Sequence, residues 1–318
     1  MYRGFFGLRE NPFNVSPDPR YLYLTEQIEE TLSGLMYGIQ TRKGIVTLTG
    51  EVGTGKTTLV NRVLDCLHQG ATKTAFLFNS RMNSTQLFDF VLAEFEIACE
   101  SRAKSQQLMN LNQWLLDRYR AGETAVLIID EAQNLTFPVL EEIRLLTNLE
   151  TSTEKLLQIV LSGQPELEEK LNLPQLRQLR QRIMLRCKTS PLTKEQTNAY
   201  ILERLKIAGA ATNGQPIFSA LAIETVHLYS LGIPRVVNLL CEHALINAYV
   251  EQQRPIQPKI IEDVAREFQL DQVEPVASPE SLRTSAELYN SEAFIQNLGE
   301  ALSRFRLSPQ DPPSRGRK

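Results

Sequence analysis

The sequence contains few cysteines and histidines, the residues that bind transition metals and, in the case of cysteine, form disulfides. It has four cysteines and three histidines in 318 residues. The cysteines, Cys66, Cys99, Cys187 and Cys241, lie far apart and include no C-x-x-C pair. This spacing argues against a metal site held by cysteine and against a disulfide framework. We therefore expect reduced, mostly buried thiols in a cytosolic protein.

The chain also lacks long apolar segments. No run reaches the length of about 18 apolar residues that a membrane-spanning helix needs. The N-terminal stretch has neither the apolar core nor the cleavage site of a signal peptide. The formal net charge is −3, so the overall charge does not require nucleic acid or an anionic membrane as a partner. Length and composition instead fit a globular chain of two modest domains.

A glycine-rich stretch is the strongest signal that the sequence does contain. Ile45–Thr49 is a β-branched run typical of a buried strand, and Thr58–His68 has the periodicity of a helix. Between them, Gly50 to Thr57 match the pattern G-x-x-x-x-G-K-S/T at every fixed position. Strand, glycine loop and helix together are the context of a phosphate-binding loop.

The loop is predicted to bind ATP. Glycines let successive backbone N–H groups turn toward an anion, and the helix N-terminus adds partial positive charge. Lys56 can reach the β- and γ-phosphates, and the Thr57 hydroxyl can bind Mg²⁺. The predicted nucleotide-binding residues are Gly50, Glu51, Val52, Gly53, Thr54, Gly55, Lys56, Thr57 and Thr58.

Two carboxylates follow the apolar run Ala125–Ile129. Asp130 and Glu131 would lie where this strand ends, at the edge of an open α/β sheet where ligands bind. Asp130 is predicted to help hold Mg²⁺ through its water shell. Glu131 is predicted to polarise the attacking water as a general base.

Polar residues also follow the fourth predicted strand. Ser162 or Gln164 would lie near the γ-phosphate and could orient the attacking water. An ordinary polar turn at a strand end is the alternative interpretation. The sequence does not decide which of the two side chains would act.

Four arginines are candidates for contact with phosphate. Arg177 and Arg180 would share one face of a helix, and Arg182 follows them. One of these three could act as an arginine finger on the γ-phosphate of a neighbouring subunit; a solvated basic face is the alternative. Arg235 begins a helix, where a cation opposes the helix dipole, so it favours an anionic partner over a plain surface position.

The order of predicted elements indicates an α/β fold. Strands alternate with helices, which implies a parallel sheet covered on both faces. The predicted strands are Ile45–Thr49, Thr74–Asn79, Ala125–Ile129, Leu156–Leu161 and Ile183–Cys187. The predicted helices around them are the one capped by Thr25 and reaching Gln40, and Thr58–His68, Thr85–Cys99, Leu108–Arg120 and Pro138–Leu149. A small all-helical domain follows, with Thr193–Ala208, Ser219–Ser230, Pro234–Val250 and Pro258–Gln269.

The ends of the chain differ in composition from its middle. Residues 1–24 are rich in aromatic residues and proline, and we expect an extended segment that packs on the core of residues 25–191. The helical domain spans 192–270. Residues 271–318 are predicted to hold a linker, an amphipathic helix over Ser281–Phe305 and a disordered tail.

These motifs together resemble the AAA+ ATPases, and more narrowly the ExeA, or general secretion pathway protein A, family. The narrower resemblance rests on Phe5–Phe13, Pro17–Leu24, Gly50–Thr58, Asp130–Leu135 and Gly163–Leu167. It implies a P-loop NTPase sheet followed by a helical lid, with Lys56 and Thr57 as the Walker A pair and Asp130 and Glu131 as the Walker B pair. It also implies that Arg235 is sensor 2, that Ser162 or Gln164 is sensor 1, and that Arg177 or Arg182 is the arginine finger. The Pro-Asp-Pro-Arg-Tyr segment would lie near the adenine.

The resemblance also implies partners. A homo-oligomer, either a ring or a filament, is expected, acting on an envelope-export or pilus complex from the cytoplasm or the face of the inner membrane. Secretion members of the family typically continue into a membrane span and a peptidoglycan-binding domain, which we do not expect here. Related regulators of DNA transposition share the ATPase core, so an ATP-gated DNA-binding role is the alternative.

Overall fold

The computed structural model describes residues 1–14, 18–68, 71–78, 81–211 and 215–270. Met1–Val264 form one compact unit, and a second unit covers Ala265–Lys318. The predicted linker, the helix over Ser281–Phe305 and the tail lie outside the described residues. Within the described part, no helix combines the length and the apolar character needed to cross a membrane.

A parallel five-stranded sheet lies at the centre of the first unit. The strands are β1 (Ile45–Thr49), β2 (Thr72–Leu77), β3 (Thr124–Ile129), β4 (Leu157–Gly163) and β5 (Ile183–Lys188). Their order is β2-β3-β4-β1-β5, with every neighbouring pair parallel. The predicted sheet is thereby confirmed. Because β1 and β4 run in register, Thr49 lies beside Gly163, and the segments that follow both strands leave the sheet at the same edge.

Helices connect these strands. The helices up to the end of the sheet are α1 (Tyr2–Phe6), α2 (Glu26–Gln40), α3 (Lys56–His68), α4 (Ser84–Glu94), α5 (Lys104–Arg120), α6 (Phe137–Leu146), α7 (Pro165–Leu171) and α8 (Arg177–Arg180). The predicted cap of α2 is observed, because the Thr25 hydroxyl accepts a hydrogen bond from the backbone N–H of Ile28 at 3.2 Å.

Alternating residues of the central strands face two apolar cores. In β3, Leu127 and Ile129 pack into the core that also contains residues of α4, α5 and α6. Val126 and Ile128 pack into the opposite core, with residues of α2 and α3. Because both faces are covered, the strand is apolar throughout, as a central parallel strand must be.

The prediction of an extended segment over residues 1–24 is wrong in part. Tyr2–Phe6 form helix α1, and Pro19–Tyr21 form a 3-10 turn. Tyr2 is buried, and its hydroxyl donates to both carboxylate oxygens of Glu242 at 2.8 Å. This long-range contact fixes the first turn of the chain, and no local pattern predicts it.

The predicted boundary of the fourth helix is also wrong. Helix α4 ends at Glu94, five residues before Cys99, because Glu96 has a φ of +55°. That left-handed conformation cannot continue a right-handed helix. Helix α5 then begins at Lys104 rather than at Leu108.

Within the described residues, four helices follow the sheet. They are α9 (Lys194–Ile207), α10 (Ala220–Ser230), α11 (Pro234–Val250) and α12 (Pro258–Glu267). All four predicted helices are present, and Thr193 and Ser219 cap α9 and α10. Gly232 fixes their junction with the sheet, since its carbonyl accepts a hydrogen bond from the N–H of Leu192 at 2.8 Å. Gly232 has a φ of +76°, and a Cβ there would lie 1.9 Å from the Leu192 carbonyl oxygen.

Candidate functional site

The glycine loop connects β1 to α3, as predicted. Gly53 and Gly55 both have positive φ, at +81° and +95°, which a residue with a side chain adopts only with strain. Lys56 is the first residue of α3, and only 6% of its surface is exposed. Its ammonium group donates to the carbonyls of Gly50 at 2.6 Å and Glu51 at 2.9 Å. The ammonium group of the lysine therefore lies within the predicted phosphate-binding loop.

Burial also changes the charge balance of this lysine. Removal from water lowers the pKa of Lys56, and the carboxylates of Glu131 and Asp130 oppose that shift. The two predicted carboxylates are thus close enough to act on the predicted phosphate ligand. An anion placed beside the lysine would favour its charged form further.

Asp130 connects the loop to the neighbouring strand β4. Its Oδ2 accepts a hydrogen bond from the Thr57 hydroxyl at 3.1 Å. Its Oδ1 accepts one from the buried Ser162 hydroxyl at 2.7 Å. The side chain is held from both sides, with only 6% of the residue exposed. The two predicted Mg²⁺ ligands, Thr57 and Asp130, are therefore in direct contact.

Glu131 is held by two amide side chains. Its Oε2 accepts hydrogen bonds from Gln133 Nε2 at 2.6 Å and from Gln164 Nε2 at 3.1 Å. The side-chain Oε1 of Gln133 in turn accepts a hydrogen bond from the backbone N–H of Gln164 at 3.1 Å. Glu131 itself has a left-handed backbone, with φ +52° and ψ +37°. The two candidates for the water-orienting role thus differ in partner, because Ser162 binds Asp130 and Gln164 binds Glu131.

Gln133 is a site residue that the candidates from sequence do not include. It lies two positions after Glu131 in a 3-10 turn of Ala132–Asn134. A glutamine in a polar loop carries no signal of its own. Its position within the Asp130–Leu135 motif is the one feature that could have drawn attention to it.

Arg235 reaches the glycine loop from the helical part of the chain. It is exposed, and it is the second residue of α11, after Pro234. Its backbone N–H donates to the Gly53 carbonyl at 3.2 Å, and a Cβ on Gly53 would lie 2.8 Å from the Arg235 Cβ. The residue therefore stands beside the loop, as its predicted role requires.

The two candidates for the arginine finger, Arg177 and Arg182, lie elsewhere. Arg177 begins the short helix α8 and is exposed. Arg182 donates to the Thr147 hydroxyl at 2.6 Å and directly precedes β5. Since Ile183 is paired with Ile45 at the beginning of β1, Arg182 lies at the amino end of the sheet. The structure does not bring either arginine to the loop of the same chain.

A cavity of about 310 Å³ lies over the glycine loop. Its walls come from the loop, from the N-terminal segment and from helices α2, α9 and α11. They include Asp18, Tyr21, Tyr23, Ile28, Val52–Thr58, Glu131, Leu192, Tyr200, Arg204, Arg235 and Asn238. Most predicted loop residues and Glu131 thus line one cavity.

Comparisons with known proteins agree with this geometry. Residues 39–171 match the family model described as AAA domain. General secretion pathway protein A of Aeromonas hydrophila is 45% identical over 257 residues. The alignment covers 80% of this chain and 46% of that protein, so the chain spans about half the length of this relative.

Solved structures share the fold at low sequence identity. Cdc6p of Pyrobaculum aerophilum has a TM-score of 0.62 at 18% identity, covering 93% of this chain and 90% of that one. The ORC2 protein of Aeropyrum pernix has 0.59 at 15%, covering 95% and 86%. A RuvB protein of Thermotoga maritima has 0.55 at 17%, covering 92% and 88%. At these identities the likeness concerns the fold alone.

Three observations indicate an AAA domain. They are the order of the strands, the glycine loop with its carboxylate pair, and the match to the family model. The sequence resemblance to general secretion pathway protein A extends well beyond the matched domain. The chain therefore contains an AAA domain over residues 39–171 and is a relative of general secretion pathway protein A.

Proposed function

We propose that the chain is a Mg²⁺-dependent ATPase. The observation that carries this proposal is the contact between two motifs far apart in sequence. Thr57 at the end of the glycine loop donates to Asp130 at the end of β3 at 3.1 Å. Loop, hydroxyl and carboxylate therefore stand at one edge of the sheet, where phosphates and a metal ion could be held together.

The residues present fit Mg²⁺. This ion prefers oxygen ligands and keeps several waters, so one hydroxyl and one carboxylate suffice beside phosphate oxygens. Thr57 and Asp130 would hold it, and Ser162 would keep the Asp130 carboxylate in place. The ion would neutralise charge that develops on the β- and γ-phosphates.

In this proposal each of the remaining site residues has one role in ATP hydrolysis. Lys56 binds the β- and γ-phosphates, and Glu131 accepts the proton of the attacking water. The water oxygen forms the new bond to the γ-phosphorus while the bond to the β–γ bridging oxygen breaks, which releases ADP and phosphate. Gln164 and Gln133 orient the Glu131 carboxylate. Arg235 stabilises charge on the phosphates from the helical side.

We further propose that the protein acts as an oligomer. Residues 25–191 are the ATPase domain in this account, and 192–270 are its lid. Arg177 or Arg182 would reach the γ-phosphate of a neighbouring copy, because neither lies at the loop of its own chain. The relative in Aeromonas hydrophila is named for the general secretion pathway. By analogy, hydrolysis would drive assembly or remodelling of an envelope-export complex from the cytoplasmic side.

Turnover of ATP by the purified protein tests the proposal directly. Phosphate release with Mg²⁺, measured over a range of protein concentrations, should be abolished by Lys56→Ala through loss of nucleotide binding. Glu131→Gln should bind ATP and fail to hydrolyse it. The matched control is Glu203→Gln in α9, which lies outside the cavity and pairs with Lys206; it should behave as wild type. Native turnover by the Glu131→Gln protein would refute the assigned base.

ATP-gated DNA binding is the second candidate. It rests on the arginines near α8, but two of them already have partners in the chain. Arg182 donates to Thr147, and Arg186 lies 3.4 Å from Glu168. ATP-dependent retention of duplex DNA that weakens with salt would favour this candidate. Absence of retention at low salt, with turnover intact, would remove it.

A further inference from the structure

A lysine on α7 contacts the turn that follows Glu131. The ammonium group of Lys170 donates to the backbone carbonyl of Gln133 and, at 3.0 Å, to that of Leu135. Gln133 lies within the 3-10 turn of Ala132–Asn134, and Leu135 directly follows that turn. One side chain thus bridges two peptide groups of the segment that begins at the proposed base.

The surroundings of Lys170 differ from those of an ordinary surface lysine. Within the described ranges of the chain, no carboxylate forms an ion pair with it. Glu168, on the same helix, pairs instead with Arg186 at 3.4 Å and with Lys188 at 2.9 Å. Burial lowers the pKa of Lys170, because water is removed from around the ammonium group. Placing a partly buried charge against neutral carbonyls costs free energy, so the position calls for a functional reason.

The backbone of Glu131 supplies such a reason. Its left-handed conformation, with φ +52° and ψ +37°, is uncommon for residues other than glycine. It persists only where neighbouring contacts hold it in place. The turn itself provides two hydrogen bonds, from the N–H of Asn134 to the Glu131 carbonyl at 3.0 Å and from Leu135 to Ala132 at 3.1 Å. Lys170 adds two more from outside the turn.

The other end of α7 contacts the same segment. Gln164, the N-cap residue of this helix, donates through Nε2 to the Glu131 carboxylate at 3.1 Å. Its backbone N–H donates to Oε1 of Gln133 at 3.1 Å. Because Gln164 and Lys170 stand at the two ends of one helix, a single element fixes both the side chain of Glu131 and the backbone that carries it.

We propose that Lys170 is a positioning residue for the general base of ATP hydrolysis. This inference rests on the proposed ATPase function. The ammonium group fixes the peptide group of Gln133, whose amide then stays against Oε2 of Glu131. The carboxylate thereby keeps the place from which it accepts the proton of the attacking water. Lys170 is not part of the cavity wall over the glycine loop, so it acts through the turn and not by contact with ATP.

The first test separates the chemical step from nucleotide binding. Lys170→Met keeps an unbranched stem and removes the ammonium group. Because a small displacement of a base can cost on the order of 100-fold in rate, we expect kcat to fall about 10- to 100-fold. KM and the calorimetric affinity for ATP should stay near their wild-type values. Lys206→Met is the matched control, since it removes an exposed lysine of α9 that pairs with Glu203.

A double-mutant cycle with Gln133→Leu then distinguishes positioning from general stabilisation. The two substitutions interrupt one chain of contacts, so their effects on kcat should not multiply. We expect Lys170→Met to lower the kcat of the Gln133→Leu protein by a clearly smaller factor than it lowers that of the wild type. A general loss of stability would act alike in both backgrounds, and urea unfolding measures that loss separately.

The possible failures are distinguishable. Three results would overturn the role of Lys170 and leave the ATPase proposal standing, because the unmodified protein still turns over ATP. They are a kcat of Lys170→Met equal to that of Lys206→Met, a loss that multiplies fully with that of Gln133→Leu, and a parallel loss of ATP affinity. Absence of Mg²⁺-dependent turnover in the unmodified protein would overturn both proposals together.

Discussion

The Ser162 hydroxyl donates a 2.7 Å hydrogen bond to Oδ1 of Asp130, on the neighbouring strand of the sheet. Both residues are buried. The bond fixes the carboxylate whose other oxygen faces Thr57. In the proposed metal site, Ser162 would therefore act through Asp130 rather than by touching the nucleotide.

Removal of this hydroxyl should weaken the affinity for Mg²⁺. Loss of a partner that orients a metal ligand costs about 10- to 100-fold in metal affinity or activity. We expect Ser162→Ala to raise the Mg²⁺ concentration for half-maximal turnover by that factor, with ATP binding retained. Ser230→Ala removes another fully buried serine, in α10, and should leave the Mg²⁺ titration unchanged. Equal titrations for both variants would contradict the assignment.

The amide of Gln133 should affect the chemical step and not nucleotide binding. It donates to Glu131 at 2.6 Å, and a small displacement of a base can cost on the order of 100-fold in rate. Gln133→Leu keeps the approximate shape and removes the amide. We expect kcat to fall about 10- to 100-fold while KM stays near its wild-type value. Gln113→Leu, on the exposed face of α5, controls for the loss of a glutamine, and an unaltered kcat in Gln133→Leu would refute this role.

The lowered pKa of Lys56 predicts a pH dependence of nucleotide binding. Burial favours the neutral amine in the free protein, whereas phosphates favour the charged form. Binding therefore takes up a proton once the pH passes the lowered pKa. We expect ATP affinity to fall with rising pH. The fall should begin at a lower pH than it would if Lys56 were exposed and had its ordinary pKa. Calorimetry across pH measures this, and Lys56→Arg should bind with little such dependence. A flat profile for the wild type would contradict the prediction.

Substitutions at Gly232 and Gly122 should distinguish two effects of an added Cβ on stability, namely backbone strain and a steric clash. Both have positive φ, +76° and +74°, but a Cβ at Gly232 meets the Leu192 carbonyl at 1.9 Å and one at Gly122 meets nothing within 4 Å. Gly122→Ala should cost about 1–2 kcal/mol of unfolding free energy, from backbone conformation alone. Gly232→Ala should cost about 1–3 kcal/mol more, because the junction must shift. Urea unfolding measures both, and equal losses would mean that the contact with Leu192 relaxes freely.

Local patterns were sufficient to predict the sheet and to place Thr57 and Asp130, the proposed metal ligands, at the same edge of it. The strand at Ala125–Ile129 is apolar on both faces, and Asp130 follows it directly, so position along the chain implied position at the sheet edge. The glycine-loop motif fixes the spacing of its own residues, so Lys56 and Thr57 could be placed from the sequence. Each of these predictions needed only a few neighbouring residues.

The parts that were not predicted depend on residues distant in sequence. Helix α1 is held by a contact between Tyr2 and Glu242, and a five-residue helix has too few turns to be stable alone. Arg204 resembles any other arginine on a helix until Pro12 and the aromatic rings surround it. Such environments arise from tertiary packing, which periodicity does not record.

The hydrogen bond from the Arg235 N–H to the Gly53 carbonyl joins the glycine loop to the first turn of α11. It runs from backbone to backbone, so substitution of the arginine side chain leaves it in place. Any change in the curvature of the loop must therefore break this bond or carry the start of α11 along with it. Through this one hydrogen bond, a small displacement of the loop could move a helix of 17 residues.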